Sequence, residues 1–180
     1  MRFLLVAVAL LLAGCGSGAT ASAPSYNAAD VMFLQMLIPQ NQQGIEIVRL
    51  VRDRGSLPAD LKVLAAAIES TQQTEIDDMK NWLRDWHQPE AMDMNPQAHA
   101  GHGGMQMTAP DLVGTLKTAP EAEFGRKFLD VLTGQQQGAV ELAQTENGTS
   151  GGVNAQARDL ARRVIESRSA EVKQLLNFKL

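Results

Sequence analysis

The chain has 180 residues, with 16 basic and 20 acidic side chains, a formal net charge of −4 and a single cysteine. A mildly acidic chain without a basic cluster lacks the electrostatic footprint of a nucleic-acid-binding protein, so we expect no nucleic-acid partner. A single cysteine excludes an internal disulfide, so packing must stabilise the fold.

The N-terminal segment predicts export. Arg2 precedes an unbroken apolar run over residues 3–12, which is typical of a secretory signal and shorter than the roughly 20 residues that span a bilayer. The sequence Leu-Ala-Gly-Cys that ends at Cys15 is the cleavage box of bacterial lipoproteins. We therefore expect a signal peptide over residues 1–14, lipidation of Cys15 and a flexible tether over residues 15–27. The lipid would hold the mature chain on the cell membrane, outside the cytoplasm.

Two amphipathic helices are predicted to follow the tether. Apolar residues keep helical spacing over residues 28–54, with a kink expected at Pro39. Ser56 is the expected N-cap of the second helix, whose apolar stripe continues to about His87. Residues 28–87 therefore form a first helix hairpin.

Residues 88–118 are predicted to cross from one hairpin to the next. The first part of this crossover contains prolines and glycines and has no helical periodicity. It also carries four methionines and two histidines, namely Met92, Met94, His99, His102, Met105 and Met107. Thioethers suit Cu(I) and imidazole suits both Cu(I) and Cu(II), so these six residues are candidate copper ligands. The alternative is a solvated linker in which the methionines are incidental.

A second hairpin is predicted over residues 119–180. The patterns Thr108-Ala-Pro-Asp111 and Thr118-Ala-Pro-Glu121 are capping boxes, which we expect to start a short helix and a long helix. Asn147-Gly148 is expected to end the long helix, and a last amphipathic helix follows the glycine-rich turn.

The helical methionines and tryptophans favour structural roles. Met32, Met36 and Met79 lie at helical spacing and are expected to fill the core. Trp82 and Trp86 lie one turn apart and are expected to pack against the partner helix or beside the crossover.

An internal repeat relates the two hairpins. The segment FLQMLIPQNQQG over residues 33–44 returns as FLDVLTGQQQG over residues 128–138, one residue shorter. Glu46 and Glu141 follow the two copies at equivalent positions and could face each other. A duplicated hairpin with one long crossover is the connectivity of ferritin-like bundles, so we predict an all-α, ferritin-like four-helix bundle.

The repeats, the crossover and the segment EIDDMKNWLRDW over residues 75–86 resemble the domain of unknown function 305 family. This family comprises ferritin-like exported proteins, some of which bind copper, and the resemblance implies a His-His pair in each repeat as metal ligands. In this chain, amides occupy those positions: Gln40, Asn41, Gln135 and Gln136. An amide lacks the imidazole nitrogen that binds transition metals, so we expect these side chains to form a hydrogen-bonded polar layer. The alternative is a ligand pocket that uses the amides directly.

Enzymatic patterns are absent from the sequence. It contains no Glu-x-x-His, which a ferritin-like di-iron site would need twice, and no serine elbow. The leading hypothesis is a non-enzymatic, membrane-tethered lipoprotein that binds or buffers copper through the crossover. One alternative is a metal-free interaction or scaffold module with a protein partner in the cell envelope. A weaker alternative is a small-molecule binder.

Overall fold

The computed structural model describes residues 25–52, 54, 57–92 and 108–180. These residues form five helices and no strand: α1 (Ala28–Arg49), α2 (Ala59–Asp85), α3 (Pro110–Lys117), α4 (Glu121–Asn147) and α5 (Ala155–Asn177). The predicted signal peptide and Cys15 lie outside the described residues, as do the candidate ligands Met94, His99, His102, Met105 and Met107. The expectation that Ser56 caps the second helix is wrong, because α2 begins after Pro58 and its start has no side-chain cap. The predicted all-α class is confirmed.

The four long helices form a bundle of two hairpins. In the first hairpin α1 packs against α2, and in the second α4 packs against α5. The hairpins meet mainly where α1 packs against α4, and the short helix α3 lies on α4 within the crossover. Two hairpins joined by one long crossover are the ferritin-like connectivity that the repeat predicted.

The apolar core consists of two clusters, one towards each end of the bundle. One cluster joins the first half of α1 to the second half of α2, and it includes Phe33, Met36 and Met79. The other joins the end of α1 to the first half of α2, and it includes Phe124 and Phe128 of α4. Met32, Trp82 and Trp86 are partly buried against the first cluster, so the structural roles expected for the helical methionines and tryptophans are confirmed.

The first helix ends earlier than the apolar spacing predicted. It passes through Pro39 as one α-helix and stops at Arg49 rather than near Arg54; the kink expected at Pro39 stays a prediction. Beyond Arg49 the chain tightens, since Leu50 and Val51 donate main-chain hydrogen bonds to carbonyls three residues back. Val51 nevertheless stays buried, which explains why its apolar character extended the predicted helix.

Both predicted capping boxes are wrong. Helix α3 begins after Ala109 and α4 begins after Pro120, and neither start has a side-chain cap. Thr118 instead lies at the end of α3, where its hydroxyl donates to carbonyls of the preceding turn. The main-chain groups of Thr108 are bound by the side chain of Gln43. A distant side chain therefore binds Thr108 in place of the predicted cap, whereas Thr118 is bound by the helix that precedes it.

The C-terminal ends of α2 and α4 are well defined. Gly148 ends α4 as predicted. At the end of α2, His87 has a positive φ of 55°, and the N–H of Gln88 donates to the carbonyl of Leu83 at 2.8 Å. This is the Schellman pattern, in which a left-handed residue closes a helix and turns the chain away from it. It directs the chain from α2 into the crossover.

Candidate functional site

A layer of polar side chains crosses the middle of the bundle. It comprises Gln40 and Asn41 of α1, Gln72 and Glu75 of α2, Gln135 and Gln136 of α4, and Arg168 and Glu171 of α5, and is called the polar layer below. The two apolar clusters lie on either side of it. The first seven of these residues are buried, and Glu171 is partly buried. The layer predicted from the amides in the two repeats is therefore confirmed.

The first amide of each repeat, Gln40 or Gln135, joins the two hairpins directly. The side-chain amide of Gln40 donates to the main-chain carbonyl of Gln135 at 2.8 Å. The side-chain amide of Gln135 donates to the main-chain carbonyl of Gln40, also at 2.8 Å. Because equivalent residues exchange equivalent bonds, the internal repeat of the sequence becomes an approximate two-fold relation in the bundle.

The second amide of each repeat, Asn41 or Gln136, donates to a glutamate of its own hairpin. Asn41 donates to Glu75 at 2.9 Å, between α1 and α2. In the equivalent place Gln136 donates to Glu171 at 2.6 Å, between α4 and α5. Each hairpin therefore holds its own amide–carboxyl pair.

The approximate two-fold relation is broken by Arg168. Gln72 and Arg168 each precede a layer glutamate by three residues, so they occupy equivalent places on α2 and α5. Gln72 donates weakly to Gln136 at 3.4 Å. Arg168, which is 0% exposed, donates instead to Glu75 of the other hairpin at 2.6 Å.

The same guanidinium also lies beside the glutamate of its own helix. Its second terminal nitrogen is 3.5 Å from Glu171. Burial raises the pKa of Glu171, and the negative charge of Glu75 acts in the same direction, whereas Arg168 and the amide of Gln136 oppose the rise. One arginine therefore supplies a fixed positive charge between two carboxyl groups at the centre of the bundle.

Gly44 lets the polar layer close. A Cβ atom at this position would lie 2.3 Å from the side-chain oxygen of Gln72 and 2.8 Å from the side-chain nitrogen of Gln135. Any other residue would have to displace these amides. The layer is thus tightly packed around α1, and this favours a structural role over a ligand pocket at the same amides.

The donor set of the polar layer does not fit copper. Its side chains are amides, carboxyl groups and one guanidinium, without the imidazole or sulfur ligands that copper prefers. The side-chain oxygens of Gln40, Asn41, Gln72 and Gln135 have no hydrogen-bond partner among the described residues. As metal ligands, amide oxygens are hard, whereas Cu(I) prefers soft ligands. The positive guanidinium of Arg168 also lies in this layer and would repel a cation. Within the described ranges no group of three or more His, Cys, Asp or Glu side chains could hold a metal ion.

Two glutamines of α1 hold the ends of the methionine- and histidine-rich part of the crossover. Gln35 donates to the main-chain carbonyl of Pro89 at 2.7 Å and more weakly to that of Ala91. Gln43 exchanges two bonds with the main chain of Thr108, at 2.8 and 2.9 Å. Eight residues of α-helix rise about 12 Å, so both anchors lie two turns apart on one helix.

The first candidate copper ligand lies beside the first anchor. Met92 is partly buried against the first apolar cluster, which includes Phe33 and Met36. Nearby, the ring of Tyr26 stacks on Trp86 with centroids 4.5 Å apart, and its hydroxyl donates to the Trp86 carbonyl at 3.0 Å. The start of the crossover is therefore fastened to the bundle by both side-chain packing and hydrogen bonds.

The repeat glutamates do not form a site. Glu46 and Glu141 are both exposed, and Glu46 pairs with Lys117 of α3. The idea that these two carboxylates could face each other is therefore wrong. Sequence reasoning instead missed Glu75, Arg168 and Glu171, although the matched spacing of Gln72 with Glu75 and of Arg168 with Glu171 could have found them.

Comparisons with known proteins place this geometry in context. The sequence model of the family described as "Domain of unknown function (DUF305)" matches residues 30–179. The comparison with curated proteins finds no significant match. Within the described residues, no helix has both the length and the hydropathy needed to cross a bilayer.

Solved structures share the fold. A DUF305 fragment from Deinococcus radiodurans is 22% identical, with a TM-score of 0.69 over 84% of this chain and 95% of that one. A putative secreted protein DUF305 from Streptomyces coelicolor is 25% identical, with a TM-score of 0.71 over 82% and 89%. CopM in the Cu(I)-bound form is 27% identical, with a TM-score of 0.62 over 83% and 94%.

Proposed function

The chain belongs to the DUF305 family, and from that premise we propose that it is an exported, lipid-anchored protein that binds or buffers copper through its crossover. The ligands in this proposal are Met92, Met94, His99, His102, Met105 and Met107. The protein has no catalytic role in this proposal, and its partners are the membrane, through the lipid on Cys15, and the copper ion.

The observation that carries the proposal is the pair of anchors on α1. Gln35 and Gln43 hold the chain on either side of the segment that contains the six candidate ligands. A segment whose ends are already fixed loses less conformational entropy when it closes around an ion. The four thioethers and two imidazoles between the anchors match the ligands that Cu(I) prefers.

Structural neighbours support a copper-related role. CopM has been solved in a Cu(I)-bound form and in a Cu(II)-bound form, which are 27% and 29% identical to this chain. Since the polar layer of this chain lacks soft ligands, the proposal assigns copper to the crossover rather than to the centre of the bundle.

Export and anchoring rest on the N-terminal pattern. A neighbour of similar fold is described as a putative secreted protein, at 25% identity. We expect the full chain, expressed in a bacterial host, to be recovered in the membrane fraction, and a Cys15→Ala variant to lose this location. Membrane recovery of the Cys15→Ala variant would contradict lipid anchoring.

A Cu(I) titration of the mature domain tests the copper proposal. The protein competes with a Cu(I) chelator, alongside a variant in which all six crossover ligands are replaced by serine. Tight binding is expected for the unchanged domain and loss of binding for the serine variant. A matched control replaces the helical methionines Met32, Met36 and Met79 by leucine, which keeps their apolar volume and removes their sulfur. This control is expected to bind as the unchanged domain does.

Two outcomes would overturn the proposal. Copper binding that survives in the serine variant but is lost in the leucine control would move the site into the helices. No binding in any form would favour the alternative of a metal-free interaction module with an envelope protein partner. The close packing of the amide and guanidinium groups in the polar layer is what favours that alternative.

A further inference from the structure

Two buried acids meet where α1 begins. Asp30 in the first turn of α1 is 0% exposed, and Glu146 in the last turn of α4 is 2% exposed. Asp30 accepts hydrogen bonds from three main-chain N–H groups, those of Asn27 at 2.6 Å, Val153 at 3.2 Å and Asn154 at 2.9 Å. By contrast, neither carboxyl oxygen of Glu146 accepts a well-formed hydrogen bond from the described residues.

Gly152 brings the two carboxyl groups together. A Cβ atom on Gly152 would lie 1.8 Å from an oxygen of Glu146 and 2.1 Å from an oxygen of Asp30. Both oxygens therefore lie against the same small residue and within reach of each other. Two carboxylates this close cannot both ionise without strong repulsion. Because three N–H donors stabilise the negative charge on Asp30, the proton belongs on Glu146.

The surroundings of Glu146 favour its neutral form. Burial is the largest cause, and the neighbouring Asp30 adds to it, so the pKa of Glu146 is raised to about 8. The nearby N–H of Gly152 and the positive charge of Arg158 on α5 act in the opposite direction. A bound cation is a poorer explanation for this pair, since main-chain donors already occupy three acceptor positions of Asp30.

The acid pair lies within a network that joins three parts of the chain. Asn154 donates from its side chain to the carbonyl of Ser25 at 2.9 Å. Asn27 donates from its side chain to the carbonyl of Gly151 at 3.2 Å. Tyr26, which lies between Ser25 and Asn27 in the chain, is stacked on Trp86 at the end of α2. Residues 25–27 therefore connect the α4–α5 turn to the start of the crossover.

We propose that Asp30 and Glu146 form a one-proton clamp, which fastens residues 25–27 to the α4–α5 turn in neutral and acidic solution and releases them in alkaline solution. In the closed form the protonated carboxyl of Glu146 donates a hydrogen bond to the carboxylate of Asp30. On release the O–H bond of Glu146 breaks, the proton passes to water, and two adjacent carboxylates repel each other. The clamp does not depend on copper.

The direction of the pH dependence follows from linkage. The pKa of Glu146 in the closed clamp, about 8, is above the ordinary value of 4.5. The clamp is therefore fully stabilised below about pH 4.5, loses stability as the pH rises, and reaches its weakest state above about pH 8. Across that window, the equilibrium constant for opening rises about tenfold for each pH unit.

Amide hydrogen exchange of the metal-free domain tests the clamp. The N–H groups of Val153 and Asn154 donate to Asp30, so their protection factors are expected to fall about tenfold per pH unit between about pH 5 and about pH 8. In Glu146→Gln the neutral amide can still donate to Asp30 but cannot ionise, so the protection factors become independent of pH. Glu141→Gln, which changes an exposed glutamate of the same helix, keeps the steep profile.

Two results would overturn the clamp. One is a protection factor that does not change with pH in the unchanged protein, and the other is an equal slope in Glu146→Gln. If Glu146→Gln does not fold, the carboxyl ¹³C shift of Glu146 in the unchanged protein gives the answer directly. A midpoint near 8 is expected, and a midpoint near 4.5 would show that no proton is held.

Discussion

Gln40 and Gln135 each donate a side-chain hydrogen bond to the main-chain carbonyl of the other, both at 2.8 Å and both fully within the bundle. These residues occupy the same place in the two sequence repeats. The reciprocal bonds therefore join the two hairpins at the place where their sequences are most alike, and they fix the register of α1 against α4.

Loss of either bond should be costly, because it removes a buried hydrogen bond between the two hairpins. We expect Gln40→Met and Gln135→Met, which keep most of the side-chain volume, each to lower the free energy of unfolding by about 0.5–1.5 kcal/mol. The two residues are in contact, so the double variant should depart from additivity by about 0.5 kcal/mol or more. Urea unfolding of the four proteins measures this coupling, and strictly additive values would contradict a shared bond pair.

A side chain at position 44 should destabilise the fold. A methyl group there would meet the amides of Gln72 and Gln135 at less than normal contact distance, so Gly44→Ala should lower the free energy of unfolding by about 1–3 kcal/mol. Gly134 of α4 offers the control, because a Cβ atom at this helical position meets nothing within 4 Å. Gly134→Ala should be neutral or should raise stability by up to about 1 kcal/mol. Equal effects of the two changes in urea unfolding would contradict the close packing of the polar layer.

Arg168 should be the most sensitive charged residue of the bundle. Arg168→Met leaves the buried carboxylate of Glu75 without its cation, so the expected loss of stability is about 3–5 kcal/mol. Within the described part of the chain, Arg163 of the same helix pairs with the exposed Asp159 alone, and Arg163→Met should change stability by about 0.5 kcal/mol or less.

A second change separates charge from packing at Arg168. Glu75→Gln removes the stranded charge, so the variant that combines Arg168→Met with Glu75→Gln should be more stable than Arg168→Met alone. Thermal and urea unfolding compare the unchanged protein, Arg168→Met, Glu75→Gln and the combined variant. If Glu75→Gln instead adds to the damage, the main contribution of Arg168 is packing rather than charge.

Gln43 should control how firmly the crossover rejoins the bundle. Gln43→Ala removes both bonds to the main chain of Thr108, so the exchange rate of the Thr108 N–H should rise at least about tenfold, as expected for the loss of about 1.4 kcal/mol of local stability. Gln42 is the exposed neighbour of Gln43 on α1, and Gln42→Ala should leave that rate unchanged. An unchanged rate in Gln43→Ala would show that other contacts hold the end of the crossover.

The fold was predictable because its determinants are repeated along the sequence. Four apolar stripes at helical spacing and two copies of one motif indicate a duplicated hairpin without any knowledge of long-range contacts. The burial of Gln40 and Gln135 followed from the same pattern, since both amides lie on the apolar face of their helices.

Two features escaped prediction because distant segments determine local structure. Thr108 has the local pattern of a helix cap, but Gln43, which is 65 residues away, binds its main chain. Arg168 follows Val164 by four residues on the apolar face of α5, but an arginine is rarely buried unless it is paired. It is buried here because it pairs with Glu75, which is 93 residues away. Neither partner can be read from the residues nearby.

The anchors at Gln35 and Gln43 also have a consequence for how this protein can vary in length. Through these anchors, α1 fixes the positions of the chain just before Met92 and at Thr108. The entropic cost of closing the segment between them is therefore part of the folding free energy of the bundle. The cost grows only with the logarithm of loop length, by about 0.6 kcal/mol for each doubling. Residues can therefore be inserted or removed between these anchors, with a change in the number of sulfur and imidazole groups, at little expense to the stability of the helices.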